Sequence, residues 1–433
     1  MAPGPVTDPE GKLPCASDNS RGRFFLSASR VRQPGCDGED DMRPTQRTAP
    51  RLLTLIFLSS LSIVSLNLFL PSLPNIARDF DTDYAIVSLS IAGYSAVAAV
   101  LLLIVGPLSD RYGRRPVILT GLAVFCVASV GCLLASDIVT FLCFRMLQAA
   151  IIAGFAVSRA VISDTAAVGK AASLMGYLAM AWAIAPMLGP VFGGVLDELF
   201  GWRASFVAFL TLGIALFVLC WFDLGETNHN PSTTIMAQIR SYPVLLRSAP
   251  FWGYALCITF STGAFYAFLG GAPLVAAEVF AISPAMLGAC IGSITGGFVF
   301  GSFLAGRFSA RYTLTAVMIS GRVVACCGLS AGLLLIALGV VDVLAFFGAC
   351  AFVGIGNGIS MPSANAGCMA VRPGLAGSAS GVSASMTHAG GAALAAFTGA
   401  VLTADNAAWG LLAIMLAASA LGLVAAVVVR MTN

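Results

Sequence analysis

The stretch Gly106-Pro107-Leu108-Ser109-Asp110-Arg111-Tyr112-Gly113-Arg114-Arg115-Pro116 joins two long apolar runs, and its reading decides the fold. Gly106 and Gly113 permit a tight turn and close helix approach. Pro116 suits the first turn of a following helix. Asp110 is able to accept charge-assisted bonds from guanidinium groups or helix N-termini. A plain basic turn accounts for Arg111, Arg114 and Arg115, but not for the ordered Gly, Asp and Gly among them. The expected role is a latch that ties neighbouring helix ends together in one state and releases them in another.

The runs that flank this turn belong to a chain of 433 residues that is 58% hydrophobic and only 10% charged. Its mean hydropathy is +0.92. A soluble domain carries roughly 25% charged residues, so this chain lacks the means to cover itself with a water-facing surface. The apolar residues are gathered into blocks near the length a helix needs to cross about 30 Å of hydrocarbon. Short alternating segments of about ten residues would mark an outer-membrane barrel, and they are not the pattern here. The many glycines and prolines then read as close helix contacts and local kinks.

Six spans are predicted near 51–71, 87–107, 117–135, 139–161, 172–196 and 204–222, and six more near 250–275, 285–305, 314–338, 343–366, 375–402 and 409–429. The expected fold is an all-α membrane protein of twelve transmembrane helices arranged as two six-helix bundles. Its predicted parts are a polar, disordered cytoplasmic lead (1–50), a first bundle (51–222), a cytoplasmic bridge (223–249) and a second bundle (250–429). Met42, shortly before Arg43, Arg47 and Arg51, offers an alternative point at which translation starts. With the N-terminus in the cytoplasm, nineteen basic residues fall on that face and two, Arg78 and Arg203, on the other. This asymmetry leads to the expectation of a bacterial cytoplasmic membrane protein with both termini on the cytoplasmic side. The twelve cysteines form no metal-ligand spacing; they read as small hydrophobes, so no metal or cofactor is expected.

The Gly106–Pro116 turn resembles the signature loop of the major facilitator superfamily, G-x-L-x-D-R-x-G-R-R. A weaker echo, Gly301-Ser302-Phe303-Leu304-Ala305-Gly306-Arg307-Phe308-Ser309-Ala310-Arg311, occupies the matching place in the second half and lacks the acid. Other segments resemble the Bcr/CflA-type drug exporters of that superfamily. They are Leu70-Pro71-Ser72-Leu73-Pro74, Arg145-Met146-Leu147-Gln148 with Arg159, Ala160 and Asp164, and Phe265-Tyr266-Ala267-Phe268-Leu269-Gly270-Gly271-Ala272-Pro273. Gly189-Pro190-Val191-Phe192-Gly193-Gly194 is similar to the fifth-span motif of the superfamily's antiporters. Its glycines let another helix pack closely and Pro190 loosens one turn. Together the matches cover roughly residues 51–429. They imply alternating access, in which one half rocks against the other around a central site, and export coupled to protons.

Arg145 lies about six residues inside the fourth span, roughly 9 Å below its outer end at 1.5 Å per residue. A charge held there faces a cavity or a partner, unless it snorkels to the headgroups. Family resemblance links it to the proton and substrate path, with Gln148 one turn inward. Arg322 in the ninth span poses the same puzzle, and a reach to the cytoplasmic rim is its expected resolution. The resemblance also exposes departures: Asn67 stands where relatives carry an acid, and Leu102 where they favour glutamine. Asn67 bonds to a substrate but exchanges no proton near neutral pH. Asp110, Glu278 and His388 therefore remain as titrating candidates. His388 is suited to carry a proton and equally to rest against a neighbouring Ser or Thr.

Candidate substrate or coupling residues are Asn67, Phe69, Tyr94, Arg145, Gln148, Tyr254, Phe265, Tyr266, Phe268, Asn357, Asn365 and, for the proton, His388, each aromatic having lipid-facing or interhelical packing as its alternative. A mostly apolar, aromatic cavity with few polar anchors suits amphipathic molecules. The leading expectation is secondary export of such molecules, with protons as coupling ion, membrane lipids as surroundings, no nucleic-acid partner and a monomeric state. A carrier for one metabolite and a non-transporting membrane sensor are the alternatives. No enzyme is expected, because the spans hold no H-E-x-x-H pattern, paired carboxylates or serine–histidine set.

Overall fold

The computed structural model describes residues 51–165, 168–228, 243–308, 311–372 and 375–432. The lead, the alternative start at Met42 and most of the bridge lie outside them. Every regular element among the described residues is helical. The first half comprises α1 (Leu52–Asn67), α2 (Leu73–Asp79), α3 (Tyr84–Tyr112), α4 (Arg114–Leu134), α5 (Ile138–Leu147), α6 (Ile152–Thr165), α7 (Val168–Phe200) and α8 (Arg203–Asp223). The second half comprises α9 (Ala249–Glu278), α10 (Pro284–Phe308), α11 (Leu314–Ala337), α12 (Val343–Ala370), α13 (Ala376–Val401) and α14 (Ala407–Thr432).

Two spans are each built from two pieces. Between α1 and α2 the chain passes through a short 3-10 turn, Leu70–Ser72, with Pro71 at its start. Proline lacks the N–H that an uninterrupted helix needs there, so the turn tightens and the path continues as one membrane-length run, Leu52–Asp79. The fourth span also passes through a 3-10 turn, Gln148–Ile151, directly after α5, here without a proline. Among the described residues, ten helical runs are long and apolar enough to cross a membrane. The remaining two crossings are α7, which carries Pro186 and Pro190, and α13, which is built largely from Ala, Gly and Ser.

Local chemistry sets the helix ends. Gly113 turns the chain between α3 and α4 with φ +97°, a conformation open to glycine. Asp137 caps α5 by accepting from the Thr140 amide at 2.8 Å, and its carboxylate also receives the Thr140 hydroxyl at 2.7 Å. These bonds hold the Asp137 carboxyl below the usual carboxylate range. Thr313 and Asp342 cap α11 and α12 likewise. Within the second half α12 packs on α10 and α11, and α9 on α13 and α14. The halves join where α3 meets α13 and where α7 meets α10. The Tyr112–Arg115 turn lies at one end of the bundle, called the basic end below. The loops bearing Asp83, Glu278 and Asp342 lie at the other, called the far end below.

Candidate functional site

Arg145 is fully buried in the first half, so snorkelling is excluded. Its guanidinium is sandwiched between the Phe69 ring at 4.2 Å and the Tyr94 ring at 4.4 Å. One terminal nitrogen donates to the Ser65 carbonyl at 2.6 Å. The other donates to Gln148 Oε1 at 2.8 Å and, more weakly, to Ser65 Oγ at 3.4 Å. The Gln148 amide in turn donates to Ser129 Oγ at 2.8 Å. Two aromatic faces and a bonded fork are what a desolvated guanidinium requires in place of water. Four predicted residues, Phe69, Tyr94, Arg145 and Gln148, thus form one cage. Ser65 and Ser129 complete it, though nothing in the sequence marks them out among many serines.

A separate cavity of about 170 Å³ lies on the seam between the halves. Trp182 and Pro186 of α7 form one wall, and Thr262, Phe265, Thr295 and Asn357 are among the residues of α9, α10 and α12 that form the other. Two predicted residues, Phe265 and Asn357, therefore face it. Asn365 is exposed and donates to the Met361 carbonyl at 3.0 Å. It lies two turns from Asn357 on the same side of α12. Phe268 is buried against Phe347 and stacks on Phe265. Tyr266 is paired with His388 through its hydroxyl, 3.2 Å from Nδ1. His388 thus rests on a tyrosine rather than on a Ser or Thr. Tyr254 packs in a second core with Phe251, Met318 and Val382.

Asn67 is buried and donates to the Ile63 carbonyl of its own helix at 2.8 Å, while its Oδ1 has no partner. Glu278 is exposed at the far end, beside a polar hollow that Arg78, Asp81 and Tyr84 also line. The expected reach of Arg322 to the rim is overturned: the residue is fully buried in the second half. It donates to Asn357 Oδ1 at 2.5 Å, and Asn357 donates onward to the Ser261 carbonyl at 3.0 Å.

At the basic end the signature turn is knotted to three other elements. Arg114 pairs with Asp110 and, at 3.1 Å, with Asp164 of α6. It also donates to Ser109 Oγ at 2.5 Å. Glu226, just past α8, accepts from the Arg114 amide at 2.9 Å and the Arg115 amide at 3.2 Å. A carboxylate at a helix N-terminus satisfies amides that lack an intrahelical partner and complements the helix dipole. Arg115 lies over Trp221 and donates to its carbonyl at 2.9 Å. Arg111 lies over Tyr112. Gly113 leaves room for the Glu226 carboxylate, whose carbon would sit 2.8 Å from an added methyl group. Gly106, by contrast, borders open space. Asp164 was legible as part of the fourth-span resemblance, whereas Glu226 carries no local signal.

Two of the fifth-span glycines, Gly193 and Gly194, sit at close backbone approaches. A methyl group on Gly193 would lie 2.6 Å from the Leu68 carbonyl carbon. One on Gly194 would lie 2.7 Å from that of Pro284, across the seam. Gly288 of α10 answers from the other side, 2.8 Å from the Pro190 carbonyl carbon. Gly189 has ordinary contacts with Leu68 and Asn67. Also near the far end, Tyr84 donates to the Gly270 carbonyl at 2.7 Å and Glu198 accepts from the Ala285 amide at 3.1 Å. Ser385 bonds the Ala99 carbonyl at 2.8 Å midway along the seam, and Arg159 bonds Ser380 at 3.1 Å nearer the basic end. Among the described residues no group of three His, Cys, Asp or Glu is placed to hold a metal ion.

Comparison with known proteins agrees with this architecture. An uncharacterized MFS-type transporter, YdgK, of Bacillus subtilis (strain 168) is 30% identical over 272 residues, 61% of this chain and 68% of its own length. Multidrug resistance protein D of Escherichia coli (strain K12) is 27% identical over 384 residues, 85% of this chain and 93% of its own. The crystal structure of a bacterial homolog to the human lysosomal transporter Spinster, in an inward-facing and unoccupied conformation, matches with a TM-score of 0.72. It does so at 18% identity, covering 88% of this chain and 95% of that one. Residues 55–396 match the model of the Major Facilitator Superfamily. Two six-helix bundles, the Gly106–Pro116 turn and that match together establish that the chain belongs to the Major Facilitator Superfamily.

Proposed function

We propose that this protein is a secondary exporter of small amphipathic molecules, working by alternating access and driven by protons, in a bacterial cytoplasmic membrane with its basic end inside. The observation that carries the reading is the seam cavity, whose walls come from both halves. A ligand held there loses one wall when the halves rock apart, so binding and movement are coupled. The close backbone approaches at the far end support a state shut on that side. The name of the Escherichia coli relative supports drugs as the substrate class.

Arg145, caged by Phe69, Tyr94 and Gln148, is assigned to the first-half path as a fixed positive charge. With Asn67 in place of the family's acid, His388 is the proton carrier of this proposal, its Nδ1 sharing a proton with Tyr266. Asp110 belongs to the latch rather than to proton transfer, because Arg114 already holds it. The Gly189–Gly194 motif is assigned to far-end closure. The protein works as a monomer.

Inverted vesicles test the reading. Acidifying their lumen drives uptake of an amphipathic drug, and an uncoupler stops it. His388→Gln leaves drug binding intact and removes the response to the pH gradient. Flux that persists with neither a proton nor a sodium gradient sinks antiport in favour of a uniporter. A gradient response that survives in the glutamine variant removes His388 from the path.

A further inference from the structure

The two buried arginines are not equivalent. Arg145 is enclosed by two rings and bonded on both terminal nitrogens. Arg322, equally buried, has one bond, to Asn357, and its Nε and Nη1 find no partner. Among the described residues no carboxylate forms an ion pair with it. After Asn228 the sequence holds only Glu278, Asp342 and Asp405. The first ends α9 at the far end, and the others precede α12 and α14 there. Arg322 lies about 22 Å of helix rise from the far end of its own α11, fifteen residues away. An uncompensated cation in so dry a place is costly and calls for a compensating group.

Asn357 connects this charge to the seam cavity, since it lines the cavity while accepting from Arg322. Thr295, nine-tenths buried, lines the same cavity with a hydroxyl that has no partner, and the indole N–H of Trp182, on the opposite wall, also has none. The polar atoms without partners around this cavity are thus an N–H donor and a hydroxyl, with a cation behind Asn357, and no carboxylate is among the residues that line it. Phe265 and Phe298 supply apolar walls. An apolar cavity of about 150 Å³ holds a benzene molecule, so the space here accommodates one substituted ring.

We infer that the seam cavity recognises an aromatic ring bearing an anionic, acceptor-rich group of the carboxylate kind, with Thr295, Trp182 and Asn357 as contacts and Arg322 as a positioning residue behind Asn357. The inference rests on the carrier reading and sharpens its substrate class: organic anions are favoured and lipophilic cations disfavoured. The charge acts through Asn357, whose amide Arg322 orients and polarises. The ligand's negative charge supplies the compensation that the second half does not provide.

The test uses the purified full-length protein in nanodiscs and fluorine NMR. Three probes of matched size are compared: a fluorinated phenylacetate, its methyl ester and the corresponding phenethylamine. The expected result is that the carboxylate binds about tenfold more tightly than the amine, with the ester between, a difference worth about 1.4 kcal/mol. Thr295→Val and Asn357→Ala each bring the carboxylate to the level of the ester. Arg322→Gln abolishes the preference, while Arg322→Lys, which keeps the charge, restores most of it. A rigid packing role alone predicts no such dependence on probe charge. Should Arg322→Gln fail to fold, the Thr295 and Asn357 variants decide. Equal or tighter binding of the amine overturns the inference, as does a preference that survives Asn357→Ala. Flux measured on the same preparations separates the two readings. Carboxylate preference without flux sinks the carrier and leaves the anion site. Drug flux without carboxylate preference does the reverse.

Discussion

Replacing Gly288 by alanine perturbs the carrier at one defined place. The new methyl group would stand 2.8 Å from the carbonyl carbon of Pro190 and 3.0 Å from Val191 Cα. Both obstacles are backbone, so no rotamer change relieves them and α7 and α10 must part. Overpacking of this kind costs about 1–3 kcal/mol. The cost falls only on the arrangement in which the two helices touch, because α7 and α10 belong to different halves. The equilibrium therefore shifts toward opening at the far end by about fivefold to 150-fold. Gly296 supplies the internal control: it lies on the same helix and nothing stands within 4 Å of the position an added methyl would take. Both substitutions gain about 1 kcal/mol of helix propensity, a term common to every state. Hydrogen exchange of residues 187–194 and 284–292 reads the outcome. Gly288→Ala accelerates exchange in both segments and Gly296→Ala does not. If the two variants exchange alike, the far-end closure argued from these glycines is wrong.

Arg145→Lys keeps the charge but loses the planar fork between Phe69 and Tyr94, and a thermal melt in detergent is expected to show a loss of about 1–3 kcal/mol. Drug flux in vesicles falls at least about tenfold in the same variant if the cage serves the transport path. Glu226→Gln removes the charge at the start of α4, a change of about 0.3–2 kcal/mol; turnover falls while ligand affinity, measured by equilibrium binding, stays. Asp137 gives a pH dependence with a definite sign. Its folded carboxyl titrates below the usual value, so its contribution is complete above about pH 3.9 and is lost as pH falls through the lower folded value. Asp137→Ala removes that acid limb from a plot of melting temperature against pH, and an unchanged limb excludes Asp137 as its source.

The fold was legible because hydrophobic blocks of bilayer length follow from composition alone, and because Gly113 and its neighbours can be placed only at a sharp inter-helix turn. The cage around Arg145 was half legible. An isolated charge in an apolar run announces a partner, and Gln148 lies one turn on. The rings of Phe69 and Tyr94 come from the turn after α1 and from α3, and are distinguished only by packing. Arg322 shows the limit from the opposite side: its oddity was visible, but whether it reached the rim or the interior depends on helix rotation, which a nearly uniform apolar surface does not specify. Trp182 and Thr295 line one cavity from opposite sides of the seam, and no spacing within either helix announces that. Tyr254 and Asn365 show the converse, since polar or aromatic character in a span does not determine which neighbour it meets.

The contacts of Glu226 and Asn228 redraw a boundary. Glu226 holds the start of α4, and Asn228 donates to the Asp110 carbonyl at 2.7 Å. Six residues beyond the last apolar position of α8, the chain is thus still sewn to the first bundle. A gene split to express the two bundles as separate polypeptides should be cut after Asn228. A cut at Phe222 would strip the first fragment of the carboxylate that fastens its own signature turn.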